Sequence, residues 1–467
     1  MNKVIIFTFL VFFFITGCSM APKYTKPQAP IPKQWPEGDA YKNVKKQEGE
    51  LPTELKWQEF INDKRLQKII EMALKNNRDL RLAALNVERA RAYYNIQRAE
   101  LLPALDVAAA GSRQRVPYDL SSKKVSGVVE QYSVNLGLLS WEIDFFGRIK
   151  SLTDRALEEY LATKEAHQSA KITIIASCAS AYLTYAADKE NLSNAYATLK
   201  AQQQIYDLIK KRYEVGLASE LDLYRAQTQV DAAKQEVSTY TQLVAQNENV
   251  LNLIVGEALD KGLLPEGLKD VVPPKDISPG LSSEILLRRP DIMAAEHYLK
   301  AVNAMIGAAR AAFFPRISLT TTMGTASSEL SRLFRSGQET WNFSPQITMP
   351  VFDTRVWAAY KATKVEREYA LAQYEKTIQT AFKEVADTLA VKGTVDEQLS
   401  AQNSLVDAME KAYQLASARY TKGLDSYLGV LDAQRSLINA QKQLVALKLA
   451  KLTNHVRLYA VLGGGSD

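Results

Sequence analysis

Few side chains able to do covalent or metal chemistry stand close together in this sequence. His167, His297 and His455 are scattered, and there is no CxxC, no HExxH and no Gly-rich phosphate loop. Catalysis is the weakest reading, and no metal is expected. The polar side chains that do gather lie in two related stretches, RYEVGLASELDLYRAQ from Arg212 to Gln227 and RYTKGLDSYLGVLDAQR from Arg419 to Arg435. In the second, Asp432 follows Leu428 by four residues on one helical face, and Arg435 lies three beyond. A guanidinium and a carboxylate so spaced can form charge-assisted hydrogen bonds that make and break. They can equally be a solvated surface pair worth only about a few tenths of a kcal/mol.

The elements that must position these residues are helical hairpins. Each stretch interrupts two long helical patterns at a glycine, Gly216 or Gly423, the residue that takes positive φ without strain and so ends a helix where the chain reverses. Ser219 and Asp425 follow, both of types that cap a new helix. Arg212, Tyr213 and Gly216 recur as Arg419, Tyr420 and Gly423, shifted by 207. Before the first tip, Leu192, Ala195, Leu199, Gln202, Tyr206, Ile209 and Tyr213 step by three and four, and Leu223 to Ile254 continue the pattern after it. That is a coiled-coil seam. The outgoing helix from Arg148 to Tyr213 would span about 100 Å at ~1.5 Å per residue.

The same stepping recurs from Leu399 to Tyr420 and from Val430 to Val461. Upstream, Asp79, Arg98 and Pro103 answer to Asp291, Arg310 and Pro315. Between these segments the period falls to two. Leu105, Val107 and Ala109 alternate, as do Tyr132, Val134, Leu136 and Leu138, then Ile317, Leu319, Thr321 and Met323, and finally Phe343, Ile347 and Met349. Four strands in two hairpins follow. The chain is thus an internal duplication: an arm over residues 18–60, a first repeat over 61–259, a connector over 260–283 and a second repeat over 284–467.

The 467 residues carry a net charge of +6 without a basic cluster, which gives nucleic-acid binding no support. Lys3 and the apolar run Val4–Ile15 form a secretory signal over residues 1–17, too short to be a stable membrane span. Ile15-Thr16-Gly17-Cys18 resembles the bacterial lipobox, so Cys18 is the expected lipid attachment site, and Ser19 after it favours the outer membrane. Cys178, left without a disulfide partner, is expected to be a small buried residue. Five prolines between Pro22 and Pro36 make the arm extended.

Strands that alternate and carry aromatics at their ends (Trp141, Phe145, Phe313, Phe314, Trp341, Phe352) suit a barrel wall with a lipid face. Four strands cannot close a barrel, and open edges are not tolerated in lipid, so several copies must share one.

At this point the Cys18 lipobox, WEIDFFGR from Trp141 to Arg148, its counterpart PVFDTR from Pro350 to Arg355, and both RYxxG tips resemble the outer-membrane factor family of TolC-like channel-tunnels, in its efflux lipoprotein branch. The second tip, GLDSYLGVLDAQRSL, is the most specific part. The resemblance implies an α+β membrane protein: a long antiparallel coiled-coil tunnel whose four strands contribute to a trimeric transmembrane β-barrel. It implies an outer-membrane location reaching into the periplasm, and partnership with a periplasmic adaptor and an inner-membrane, proton-driven pump. It further implies an iris-like periplasmic gate of Leu428, Asp432, Arg435, Arg419 and Tyr420, with Asp222 a further candidate, and adaptor docking at Val215-Gly216-Leu217 and Lys422-Gly423-Leu424. A type I secretion conduit and a non-conducting lipid-anchored scaffold are the alternatives.

Overall fold

The computed structural model describes residues 19–42, 44, 55–122, 124–280 and 282–464. The signal segment and Cys18 lie outside the described residues. Two compact units are formed, each from three stretches of chain.

The first unit gathers residues up to Gln28, Asn86–Thr163 and Ala294–Tyr374. Its centre is a four-stranded antiparallel sheet in the order β1 (Leu105–Val116), β2 (Gly127–Ile143), β3 (Arg316–Ser327), β4 (Glu339–Thr348). Residues directly opposite across a ladder share a face. One face carries the row Val107, Leu136, Met323, Trp341 and the row Leu105, Leu138, Thr321, Phe343. The rows on the other face are polar or small: Asp106, Gly137, Thr322, Asn342, and Ala108, Asn135, Gly324, Thr340. Val107, Met323, Trp341, Phe343 and Ile347 are all exposed. The apolar face is therefore open rather than packed on the chain's own helices. At Gly137 and Gly324 the β2 and β3 backbones approach so closely that a Cβ would stand 2.1 and 2.0 Å from a neighbouring carbonyl oxygen. A bulge between Leu138 and Trp141, with Ser140 at φ 61°, bends β2.

Helices lead into and out of the strands. The segment before β1, α2 (Arg78–Ala99), ends four residues before Pro103. Pro103 explains this, because the residue before a proline is pushed out of helical geometry and the last turn loosens. Its counterpart α5 (Pro290–Ala311) precedes β3. At the strand ends Phe146 stacks on Phe314 at 4.9 Å, and Phe313 meets Trp357 edge-to-face at 4.8 Å.

The second unit gathers Ala29–Leu85, Lys164–Met293 and Glu375–Asp467. It holds α1 (Lys64–Asn76), the distal part of α3 (Arg148–Glu214), α4 (Glu220–Val255), the distal part of α6 (Thr354–Thr421) and α7 (Tyr427–Val461). Asp63 caps α1 by accepting the Arg65 and Leu66 N–H groups. Phe60 stacks on Tyr459 at 4.1 Å, and the Tyr459 hydroxyl donates to the Leu55 carbonyl. Ala195, Ile209, Ala226, Val230, Ala233 and Leu251 are buried in the first hairpin, and Val406, Leu437, Ala440 and Leu458 in the second. Two polar seam positions bond across the helices: Gln402 donates to the Ala440 carbonyl and Asn454 to that of Thr388. Trp35 of the arm is buried against Phe382.

Candidate functional site

The two tips share one backbone device. In the first, Leu217 N–H donates to Arg212 O and Gly216 N–H to Tyr213 O; in the second, Leu424 N–H donates to Arg419 O and Gly423 N–H to Tyr420 O. Gly216 and Gly423 sit at φ 74° and 75°. This six-to-one closure through a left-handed glycine ends a helix and turns the chain back.

Their side chains differ. At the first tip Ser219 caps α4, its hydroxyl oxygen accepting the Asp222 N–H and its hydroxyl donating to the Asp222 carboxylate at 2.7 Å. At the second, Ser426 stands at the cap position of α7 and makes no side-chain cap bond. The expectation that Asp425 caps this helix is corrected. Its carboxylate is taken by Arg419 in a two-pronged pair, Nε to Oδ2 at 2.5 Å and Nη2 to Oδ1 at 3.1 Å. The Arg419 guanidinium holds the Asp425 carboxyl below its ordinary pKa range. A bidentate pair with a guanidinium gives the carboxylate two charge-assisted bonds where a cap would give it one.

Arg419 therefore lies with Asp425 and not with Asp432 within the chain. Leu428, Asp432 and Arg435 occupy one exposed face of α7, without an ion pair to one another. Tyr420 instead lies under Arg212, whose guanidinium is 5.4 Å from the ring centroid, and packs against Tyr427 at 5.4 Å. Tyr427 is buried with Ile209, Ala226, Val430 and Leu431 in a core that joins both hairpins. Burial, with the neighbouring Tyr420 and Tyr413, pushes its hydroxyl up to about 12. Asp222 stays with its own cap, 3.9 Å from Arg225. Sequence reading missed the Arg419–Asp425 and Arg212–Tyr420 contacts. For the first, the RYxxG spacing was the available signal, since the six-to-one bond from Leu424 N–H to Arg419 O sets Asp425 beside Arg419; the second had none.

Around the turns, Val215, Leu217, Leu221, Tyr224, Lys422 and Leu424 are exposed. A Cβ built on Gly216 or Gly423 would meet nothing within 4 Å. The two turns offer a small apolar surface with glycine at its lowest points.

Elsewhere chemistry is sparse. Cys178 is fully buried, and desolvation pushes its thiol up to about 12, which leaves it unreactive. His297 contacts Glu158 at 2.6 Å. Among the described residues no group of three or more His, Cys, Asp or Glu side chains could hold a metal ion, and no helix is long and apolar enough to cross a membrane.

Comparison with known proteins agrees with this arrangement. A family model described as outer membrane efflux protein matches residues 69–257 and 281–464. The chain is 45% identical over 466 residues to the toluene efflux pump outer membrane protein TtgC of Pseudomonas putida, covering 100% of this chain and 96% of that one. A membrane protein from Pseudomonas aeruginosa superposes with a TM-score of 0.88 at 41% identity, covering 96% of this chain and all of that one. The open state of the Neisseria gonorrhoeae MtrE outer membrane channel does so at 0.85 and 34%, covering 96% and 99%.

Proposed function

The chain belongs to the outer membrane efflux protein family, and on that premise we propose that it is the outer-membrane duct of a tripartite efflux system, assembled as a homotrimer. It resides in the outer membrane. The observation that carries the reading is the sheet: one face with an apolar band open to its surroundings, an opposite face of polar and small rows, and two unpaired edge strands, β1 and β4. Unsatisfied edges are costly in hydrocarbon, so β4 of one copy must pair with β1 of the next until the wall closes. Two copies would give eight strands, a barrel whose interior side chains fill it. Three give twelve and leave a lumen.

In the trimer the second hairpin narrows the periplasmic mouth. Three copies of Leu428 approach the axis and make a dry constriction. Three Asp432 carboxylates close by repel one another and need cationic partners, which Arg435 of a neighbouring copy can supply. Arg419, Tyr420 and Asp222 act behind this ring: Arg419 through Asp425, Tyr420 through the core it shares with Tyr427, and Asp222 through its cap. The core joining the hairpins supports opening as a movement of α7 with its tip, iris-fashion, once the ring of charges is released. The exposed turns at Gly216 and Gly423 dock tip to tip on a helical-hairpin adaptor, which connects the duct to a proton-driven inner-membrane pump. Cys18 carries the anchoring lipid. No cofactor takes part. Purified protein should run as a trimer by native mass spectrometry and form discrete channels in planar bilayers. A monomer in detergent that never conducts would remove the duct and leave an anchored rod.

A further inference from the structure

We propose that the end of α5 and the first turns of α6 form a binding site for an anionic phospholipid, its phosphate held by Arg310 and Lys364 and its acyl chains laid on Phe313 and Trp357. The site is an open cleft of about 600 Å³ within the first unit, lined also by Ser19 and Met20. Trp357, Tyr360 and Lys364 lie three and four residues apart and share a face of α6. The Tyr360 ring is their centre: the Lys364 ammonium stands 4.7 Å from its centroid, the Arg310 guanidinium 5.9 Å, and Phe313 meets its edge at 5.9 Å. Arg310 gives one donor to the Met20 carbonyl at 3.1 Å. Among the described residues neither cation has a carboxylate within ion-pair distance, although Arg310 is half-buried. A half-buried cation without a counter-charge bears a desolvation cost that an anion in the cleft would relieve.

The occupant follows from what flanks the cations. Phe313 and Phe314 stand three and two residues before β3, and Trp357 follows β4 by nine residues, so the cleft opens at the end of the sheet with the exposed apolar face. Aromatics at that level mark the boundary between hydrocarbon and headgroups. Phe352, in the same connection, is also exposed. A lipid on Cys18 would start beside this cleft, since Ser19 lines it. A thioether-linked diacylglycerol has no phosphate, however, and cannot neutralise two cations. A phospholipid supplies both the charge and the chains. The inference rests on the sheet lying in a membrane.

The full-length trimer, released into detergent, would be titrated with dioleoyl phosphatidylglycerol and followed by native mass spectrometry. Parallel arms use a phosphate-free dioleoylglycerol and inorganic phosphate. At about fivefold per basic group near a membrane surface, Arg310→Gln with Lys364→Gln should weaken phosphatidylglycerol binding about thirtyfold. Arg310→Lys should restore most of it, and Lys361→Gln, an exposed charge on the same helix, should leave it unchanged. Equal binding by the double variant overturns the site. So does equal binding of the phosphate-free lipid, which would mean an apolar surface only, or of inorganic phosphate, which would mean a free-anion site. Lys364 is exposed, so Lys364→Gln alone tests the charge without disturbing the fold. Conductance on the same samples reports separately on the duct: a conducting trimer indifferent to the lipid sinks this site alone.

Discussion

The two helical tips have one backbone and two different sets of side-chain bonds. Both close through the same six-to-one turn at a left-handed glycine. The first is finished locally, with Ser219 and Asp222 bonded to each other and to the start of their own helix. The second is finished by Arg419 reaching across the turn to Asp425, which leaves the start of α7 without a side-chain cap. A self-capped helix start is held in place by its own turn. An uncapped one, held by a side chain from the preceding helix, can move with that helix. Duplication thus supplied two turns closed alike, and divergence at a few polar positions left one helix start capped by its own turn and the other braced from the preceding helix.

The largest effect should come where the tips are alike. At Gly216 and Gly423 a Cβ meets nothing within 4 Å, so Gly216→Trp or Gly423→Trp should spare the fold apart from about 1–2 kcal/mol of local backbone strain. Each should nevertheless abolish efflux, read as drug susceptibility equal to a deletion strain, while native mass spectrometry still finds trimers. Undiminished efflux by either variant would mean that its turn docks nothing. The next effect should appear only where they differ. Removing Arg419 and Asp432 together should raise single-channel conductance several-fold in planar bilayers, whereas Asp222→Ala at the first tip should change it less than twofold. An equal rise from both tips would erase the distinction between fixed and moving hairpins.

How far the sequence reveals this depends on the range of the interaction. Family and fold are legible because they rest on repetition: the period-two rows ending at Leu138 and Met323, and seams stepping by three and four, declare themselves over many residues. The strands lie where the alternation put them. Pro345 lies within β4, opposite Leu319 of β3, a residue type that no strand pattern would have favoured there. The contacts that pass unseen each depend on one geometric accident. Asp425 reads as a helix cap until the turn brings Arg419 beside it. Arg212 and Tyr420 are 208 residues apart, and only the packing of one hairpin on the other puts the cation over the ring. The seat of the arm is equally silent: at Gly307 a Cβ would stand 2.7 Å from the Ala21 nitrogen, a closeness no local pattern announces.

Acid gives a smaller effect with a definite sign. Arg419 holds the Asp425 carboxyl below its ordinary range. A group whose folded pKa is depressed contributes fully above its unfolded value, about 3.9 for Asp, and its contribution is lost as pH falls through the folded value. The second tip should therefore keep its link unchanged between about pH 7 and 5, with a flat conductance across that window. Asp425→Asn should reproduce at neutral pH whatever change appears below about pH 4. A rise in conductance already complete by pH 5 would assign the acid response to another group.

The smallest effect isolates the caps themselves. Ser219→Ala removes a bond to the Asp222 N–H and should cost about 1 kcal/mol of local stability, seen as roughly fivefold faster hydrogen exchange in the first turn of α4. Ser426→Ala removes no such bond and should alter exchange at the start of α7 by less than twofold. The first turn of α7 should also exchange faster than that of α4 in the unaltered protein, because the Arg419–Asp425 pair braces the turn from outside the helix and protects none of its amides. Equal protection of the two helix starts would mean that the second tip is as rigid as the first. Opening would then have to come from bending farther along α6 and α7 rather than from motion at the tip.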